Sequence, residues 1–241
     1  MLSGLQDPLL SLIYPQNCHN CELQVESHAD GVACAECWAS TRFFDGSEML
    51  CAKCGAFFGD KAAPVPVYCH RCDDHNYDKA FALGIYERGL ASAIVHLKKV
   101  PSPPKRLKDL IKQNDVLGAL DFDLIIPSPL SKHRRLERGF NQAETIADLV
   151  SRNCRVPVDK LSLVRKTHTP MHRMGMDQKA RELTVKNAFA VTRPKLIEGK
   201  NILLVDDVLT SGATASACAK VLKKSSAAKV NVFTLARAVM N

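Results

Sequence analysis

Ile202 to Thr214 reads ILLVDDVLTSGAT, and this stretch decides the fold. From Asn201 to Val205 the chain is nearly all apolar, as a strand covered on both faces must be. Two adjacent acids, Asp206 and Asp207, end the run, and Thr210-Ser211-Gly212 then leads into a helical pattern from Ala213 to Lys224. In an open parallel sheet ligands bind beyond the C-terminal ends of the strands, and a helix N-terminus with free N–H groups suits phosphate. Thr210, Ser211 and Thr214 add side-chain donors, while Gly212 lets the backbone approach a ligand without a Cβ. Bare carboxylates repel phosphate, so the acid pair makes sense if the ligand also carries hydroxyls or a divalent cation. The competing reading is an ordinary strand and helix cap. A Walker A loop is excluded, because no Gly-Lys-Ser/Thr closes the turn.

Short apolar runs alternate with helical patterns on both sides of this segment. Strands are expected at Ala80 to Tyr86, Leu124 to Ile126 and Val230 to Leu235, and helices at Arg88 to Lys99 and Asn141 to Arg152. Pro101, Pro103 and Pro104 mark a loop after the first of these helices. The alternation implies a parallel sheet with crossover helices on both faces, an α/β domain over residues 79–241.

The first 78 residues have a different texture. Eight of the ten cysteines fall in four C-x-x-C pairs: Cys18/Cys21, Cys34/Cys37, Cys51/Cys54 and Cys69/Cys72. Each such turn points two thiolates at one tetrahedral centre, and the 12, 13 and 14 residues between successive pairs fit four-sulfur zinc sites. Sequential pairing gives two zinc ribbons with one Zn²⁺ each, and interleaved pairing is the alternative. A disulfide framework needs an oxidising compartment, and iron–sulfur ligation uses tighter cysteine runs. Four sulfurs leave no open coordination position, so both Zn²⁺ are expected to be structural, replacing a core that a short segment can barely supply. His19, His70 and His75 lie beside the cysteines and read as solvated, while Cys154 and Cys218 read as small buried apolar residues.

Charge separates the same two parts. Residues 1–80 carry 5 Lys/Arg against 11 Asp/Glu, a net −6, whereas residues 81–241 carry 28 against 14, a net +14. A basic domain draws polyanions or phosphorylated small molecules, although a solvated lysine-rich face has the same composition. With eight thiolates and two Zn²⁺ the ribbon would stand near −10, which makes it a poor binder of nucleic acid by itself. No basic residue precedes the apolar stretch Leu5 to Ile13, and Asp7 and Pro8 interrupt it, so no signal peptide is read. No apolar run approaches the roughly 18 residues that cross a bilayer, and the expectation is a cytoplasmic protein without membrane insertion.

The thirteen residues quoted above resemble the phosphoribosyl-diphosphate motif of type I phosphoribosyltransferases. Pro127 to Gln142, PSPLSKHRRLERGFNQ, resembles the signature of the ComF competence family, most distinctly in Arg138-Gly139-Phe140-Asn141-Gln142. Leu163 to Phe189 is similar to that family's hood region. Where the family usually shows Lys-Tyr-Gly, this chain has Lys98-Lys99-Val100. The resemblance implies a phosphoribosyltransferase-type parallel sheet with flanking helices behind a double zinc ribbon. Asp206 and Asp207 would act on the ribose, and Thr210, Ser211, Gly212, Ala213 and Thr214 would hold the 5′-phosphate. Lys132, Arg134, Arg135 and Arg138 would hold a Mg²⁺-bound diphosphate. Arg165, Lys166, Arg173, Lys179 and Arg181 lie in the hood, which would close over the site. The expected partners are phosphoribosyl diphosphate, single-stranded DNA during natural transformation, and a DNA-uptake helicase or another competence protein. The alternative is an active phosphoribosyltransferase on a small acceptor with no DNA role.

Overall fold

The computed structural model describes residues 15–27, 30–166 and 188–239. Four strands form one parallel sheet: β3 (Lys79–Ile85), β4 (Leu124–Pro127), β7 (Asn201–Leu209) and β8 (Lys229–Arg237), in the order β3-β8-β7-β4. Side chains alternate along each strand, so one sequence feeds two cores. Leu203, Val205, Phe233 and Leu235 pack under α2 (Arg88–Leu97), α3 (Lys105–Lys112) and α6 (Gln142–Cys154). Ile202, Leu204, Val230 and Val232 face the other way, toward α7 (Ala213–Lys224) and a short antiparallel pair, β5 (Leu163–Arg165) with β6 (Phe189–Val191). The result is a parallel-sheet α/β fold with helices on both faces, as the sequence implies.

Strand β7 differs from its expected length, and the difference matters. The sequence suggests an end at Val205, yet pairing with β8 continues through Asp206↔Thr234, Val208↔Ala236 and Leu209↔Arg237. Pairing with β4 stops at Pro127↔Val205, and Ser128 N–H closes that side on the Val205 carbonyl at 2.8 Å. From Asp206 onward the strand is held on one edge and open on the other. The two acids therefore sit where neighbouring strands diverge.

The cysteine-rich segment packs onto this sheet and covers its free edge. Phe44 N–H donates to the Leu83 carbonyl at 2.8 Å, Ile85 N–H to Arg42 at 2.9 Å and Ala80 N–H to Lys53 at 2.7 Å, so the β3 edge is paired at both of its ends. At the opposite edge Ile125 N–H donates to Pro157 and Asp159 N–H to Ile125, both at 2.9 Å. Short elements complete the cysteine-rich segment: α1 (Ala35–Ala39), and the two-residue β1 (Met49–Leu50) paired antiparallel with β2 (Phe57–Gly59). Trp38 on α1 is 1% exposed, lies against Gly89 of α2 and donates its indole N–H to the Asp30 carbonyl at 2.9 Å. It is the main apolar link between the first cysteine cluster and the α/β core. Among the described residues no helix is long and apolar enough to cross a membrane. Trp38→Ala should lower stability by about 3–5 kcal/mol through the cavity it leaves, measured by denaturant unfolding; a loss below about 1 kcal/mol would show that this contact does not anchor the ribbon.

Candidate functional site

Each cysteine quartet is assembled by sequential pairing. Cys18, Cys21, Cys34 and Cys37 form one cluster and Cys51, Cys54, Cys69 and Cys72 the other, with all four ligand atoms of each within 4.8 Å of one another. Tetrahedral zinc with Zn–S of about 2.3 Å needs sulfurs about 3.8 Å apart. The observed separations of 3.6 Å for Cys21–Cys34, 3.6 Å for Cys51–Cys72 and 3.4 Å for Cys54–Cys69 suit that geometry. Amide groups also converge on the sulfurs. Cys69 N–H and Cys54 N–H reach Cys51 Sγ at 3.4 and 3.5 Å, and Asn20 Nδ2 reaches Cys37 Sγ at 3.2 Å. Burial pushes the Cys51 thiol up, but the Cys54, Cys69 and Lys53 amides outweigh it and bring the thiol down to about 7, toward the thiolate that zinc requires.

The second constellation surrounds the end of β7. Gly212 has φ +80°, a left-handed conformation suited to glycine, and it caps α7 without a side-chain acceptor. Ser211 is buried and its hydroxyl accepts from Ala213 N–H at 3.5 Å; Thr210 is exposed and Thr214 half-buried. Thus Thr210 to Gly212 form one turn that leads directly into the helix, whose first two residues are Ala213 and Thr214. Asp206 accepts a hydrogen bond from Asp207 N–H at 2.9 Å. Burial, reinforced by the neighbouring Asp207 charge, raises its carboxyl to about 7. Asp207 is paired instead: Lys98 Nζ stands 3.2 Å from Oδ2, and Gln142 Nε2 donates to the same oxygen at 3.5 Å.

The run from Arg138 to Gln142 has a structural logic that its spelling hides. Helix α5 (Lys132–Arg138) ends at Gly139, φ +77°, whose N–H returns to the Arg135 carbonyl at 2.8 Å. Asn141 caps α6 by accepting from Ala143 N–H at 3.1 Å and ties the corner to β4 by donating to the Ser128 carbonyl at 3.0 Å. Gln142 accepts from Arg138 Nη1 at 3.0 Å while its amide nitrogen faces Asp207, so an Arg138–Gln142–Asp207–Lys98 chain crosses the site. The four basic residues of α5 do not act alike. Arg135 forks onto Glu144 at 2.6 and 3.3 Å, Lys132 is exposed, and Arg134 is half-buried near Arg165. Burial and Arg134 lower the Arg165 guanidinium's pKa, whereas Cys218 and Asp206 oppose that shift. Arg165, at the end of β5, lies over the Phe189 ring, 5.3 Å from its centroid. The rest of the expected hood, including Arg173, Lys179 and Arg181, lies outside the described residues.

One sequence expectation is corrected. His75 is not solvated: it is 9% exposed, its Nδ1 is 2.6 Å from the Tyr77 hydroxyl, and its ring occupies the space that a Cβ on Gly212 would need. His19 and His70 are exposed, as expected. Lys98, Gln142 and Arg237 were not among the expected site residues. Lys98 lies 109 positions from its acid, and no local pattern signals that meeting.

The raised Asp206 carboxyl has a consequence for stability. An ordinary aspartate loses its proton near 3.8, whereas folded Asp206 keeps it to about 7. The native state therefore binds more protons within that window, and this group's contribution to stability falls as pH rises through it. Asp206→Asn cannot ionise, so its melting temperature should gain on that of the unaltered protein as pH rises toward about 7. A difference that does not change with pH would remove the buried-acid assignment.

Residues 9–73 match the family model of the double zinc ribbon domain, and residues 138–239 match that of the phosphoribosyl transferase domain. The DNA utilization protein YhgH of Escherichia coli K12 is 27% identical over 237 residues, covering 94% of this chain and 99% of that protein. Competence protein F of Haemophilus influenzae is 36% identical over 117 residues, 48% of this chain and 51% of that protein. Competence protein ComFC of Bacillus subtilis is 36% identical over 115 residues, 47% of this chain and 44% of that protein. Each of these two matches covers about half of both proteins. Among solved structures, glutamine phosphoribosylpyrophosphate amidotransferase from B. subtilis is 19% identical with a TM-score of 0.37, covering 58% of this chain and 26% of that one. Adenine phosphoribosyltransferase from Thermoanaerobacter pseudethanolicus is 13% identical with a TM-score of 0.34, covering 55% and 78%. A double zinc ribbon followed by a phosphoribosyl transferase domain makes this chain similar over nearly its whole length to the DNA utilization protein YhgH, and over about half of it to the two competence proteins.

Proposed function

We propose that this chain binds phosphoribosyl diphosphate with Mg²⁺ at the end of β7 and serves in the uptake and handling of single-stranded DNA during natural transformation. The observation that carries the ligand reading is the succession at one sheet edge: two acids on the open side of β7, a left-handed glycine, and the N-terminus of a twelve-residue helix. In this reading Asp206 and Asp207 accept the ribose hydroxyls, and Thr210, Ser211, Gly212, Ala213 and Thr214 receive the 5′-phosphate. Mg²⁺ arrives with the substrate and offsets the charge of the diphosphate. Lys132, Arg134 and Arg138 face that diphosphate, with Arg135 available once it leaves Glu144.

The role in DNA uptake is supported by the names of the relatives, a DNA utilization protein and two competence proteins. It is also supported by the net +14 of residues 81–241, part of it displayed as exposed Lys105, Arg106, Lys108 and Lys112 along α3. Contacts to the DNA backbone would dominate, because exposed aromatic stacking platforms are few among the described residues.

Two measurements test this. Changing Asp206 and Asp207 together to Ala should weaken phosphoribosyl-diphosphate binding in calorimetry by about a hundredfold or more, since two charge-assisted hydrogen bonds at about 1.5 kcal/mol each are lost. Unchanged affinity in a folded variant would remove the ribose assignment, and diphosphate release in the same samples would distinguish a transferase from a binder. Affinity for single-stranded DNA should fall with salt by about 0.7 log units per log unit of salt for each phosphate contacted; a flat series would sink the DNA reading.

A further inference from the structure

The two cysteine clusters lie on opposite faces of the sheet, and only one of them reaches the proposed cradle. Cys18, Cys34 and Cys37 belong to the core under α2, α3 and α6, with Trp38, Val205 and Phe233. Cys51, Cys54 and Cys72 belong to the core under α7, with Tyr77, Leu209 and Ala213. Two bridges connect this second cluster to the turn between β7 and α7.

The first bridge is Arg237, at the end of β8 and 7% exposed. Its Nη1 donates to the carbonyls of Leu209 at 2.7 Å, of Thr210, and of Ala238 at 3.2 Å, while Nη2 lies 4.0 Å from Cys54 Sγ. One buried cation therefore holds the carbonyls that start the turn and also faces a zinc-ligand sulfur. A buried guanidinium needs negative partners, and a zinc-bound thiolate retains more charge than a free thiol does.

The second bridge is the chain leaving Cys72. His75 N–H donates to the Cys72 carbonyl at 3.1 Å, and the His75 ring, fixed by the Tyr77 hydroxyl, presses on Gly212. Asn76 then donates from its backbone N–H and its side-chain amide to Ser216 Oγ at 3.1 and 2.9 Å, in the first turns of α7. One bridge secures the entry to the turn and the other its exit.

We propose that the Cys51/Cys54/Cys69/Cys72 site positions the phosphosugar cradle, with Arg237 as the residue that transmits its state to the Thr210–Gly212 turn between β7 and α7. Zinc at this site and ligand in the cradle bind cooperatively, whereas zinc at Cys18/Cys21/Cys34/Cys37 is uncoupled. The inference rests on the ligand reading above. Linkage makes it reciprocal: if zinc at the second site strengthens ligand binding, ligand slows zinc loss from that site.

The test uses the full-length chain loaded with two zinc ions, with release followed by a chromophoric chelator. Cys21→Ser and Cys69→Ser assign the two release phases. Saturating phosphoribosyl diphosphate with Mg²⁺ should slow the phase belonging to the second site about tenfold, a coupling of about 1.4 kcal/mol. Arg237→Met should abolish that protection and Arg237→Lys restore part of it. Calorimetry on the unaltered protein separates the two ways of being wrong. If the ligand binds and neither phase changes, or both slow alike as general stabilisation predicts, the coupling is refuted and the ligand reading stands. If the ligand does not bind, both fall. Should Arg237→Met fail to fold, the protection measured on the unaltered protein decides alone.

Discussion

A strand paired on both edges and packed on both faces can do chemistry only at its end, and β7 is such a strand. From Ile202 to Val205 every side chain is buried and hydrogen bonds run to β4 on one side and β8 on the other. Polar groups are excluded there, because an unpaired donor or charge in that interior would cost several kcal/mol. Asp206 and Asp207 become possible one residue later, where β4 has turned away at Ser128 and one edge opens. The cradle, the corner at Asn141 and the cation at Lys98 are all arranged around that opening.

The cysteine-rich segment answers a second constraint. An open parallel sheet exposes two edges, and the edge at β3 is closed by backbone bonds from Arg42, Phe44 and Lys53 rather than by another strand of the domain. A short segment with little core of its own holds that position because sulfur clusters order it, and because Trp38 on one face and Tyr77 on the other extend the two cores of the sheet into it. The two cores run across the boundary expected from sequence at residue 78, Trp38 packing with Leu83 in one and Tyr77 with Ala80 in the other. The acidic and basic parts of the chain meet across shared apolar surface.

How much of this could be read from the sequence follows from the range of each interaction. Cysteine spacing makes sequential quartets the expected pairing, because two C-x-x-C turns a dozen residues apart can meet around one metal, but the near-equal gaps leave interleaved pairing open until the structure brings each sequential set together. The alternation of apolar runs and helical patterns fixes the sheet, and the turn after β7 is legible because glycine, hydroxyls and helix onset are contiguous. The extension of β7 to Leu209 was not legible, since it depends on β8 running as far as Arg237. His75 was misread for a related reason. It stands beside exposed Asp73 and Asp74, and the slot that buries it is made by a missing Cβ 137 positions away at Gly212. Arg237 sits in an apolar strand end, where a lone cation gives no hint that it binds three carbonyls and a sulfur.

In the proposed reading, the acid pair calls for a ligand bearing both hydroxyls and phosphate. Adjacent carboxylates in a partly buried site cannot both ionise without compensation. The structure resolves this asymmetrically: Asp207 takes a cation, Lys98, and a side-chain amide, Gln142, while Asp206 is shifted toward its neutral form. A bare anion would meet one negative group and gain nothing from the other. A ligand with hydroxyl donors can satisfy both acids, and its phosphates can draw Lys98 away from Asp207 without leaving that carboxylate unpaired. The ion pair is modest, with the Lys98 side chain 34% exposed and screened by solvent, so exchanging it costs little. Under the proposed function, a phosphorylated sugar with a bound divalent cation would meet the need to compensate two acids at once.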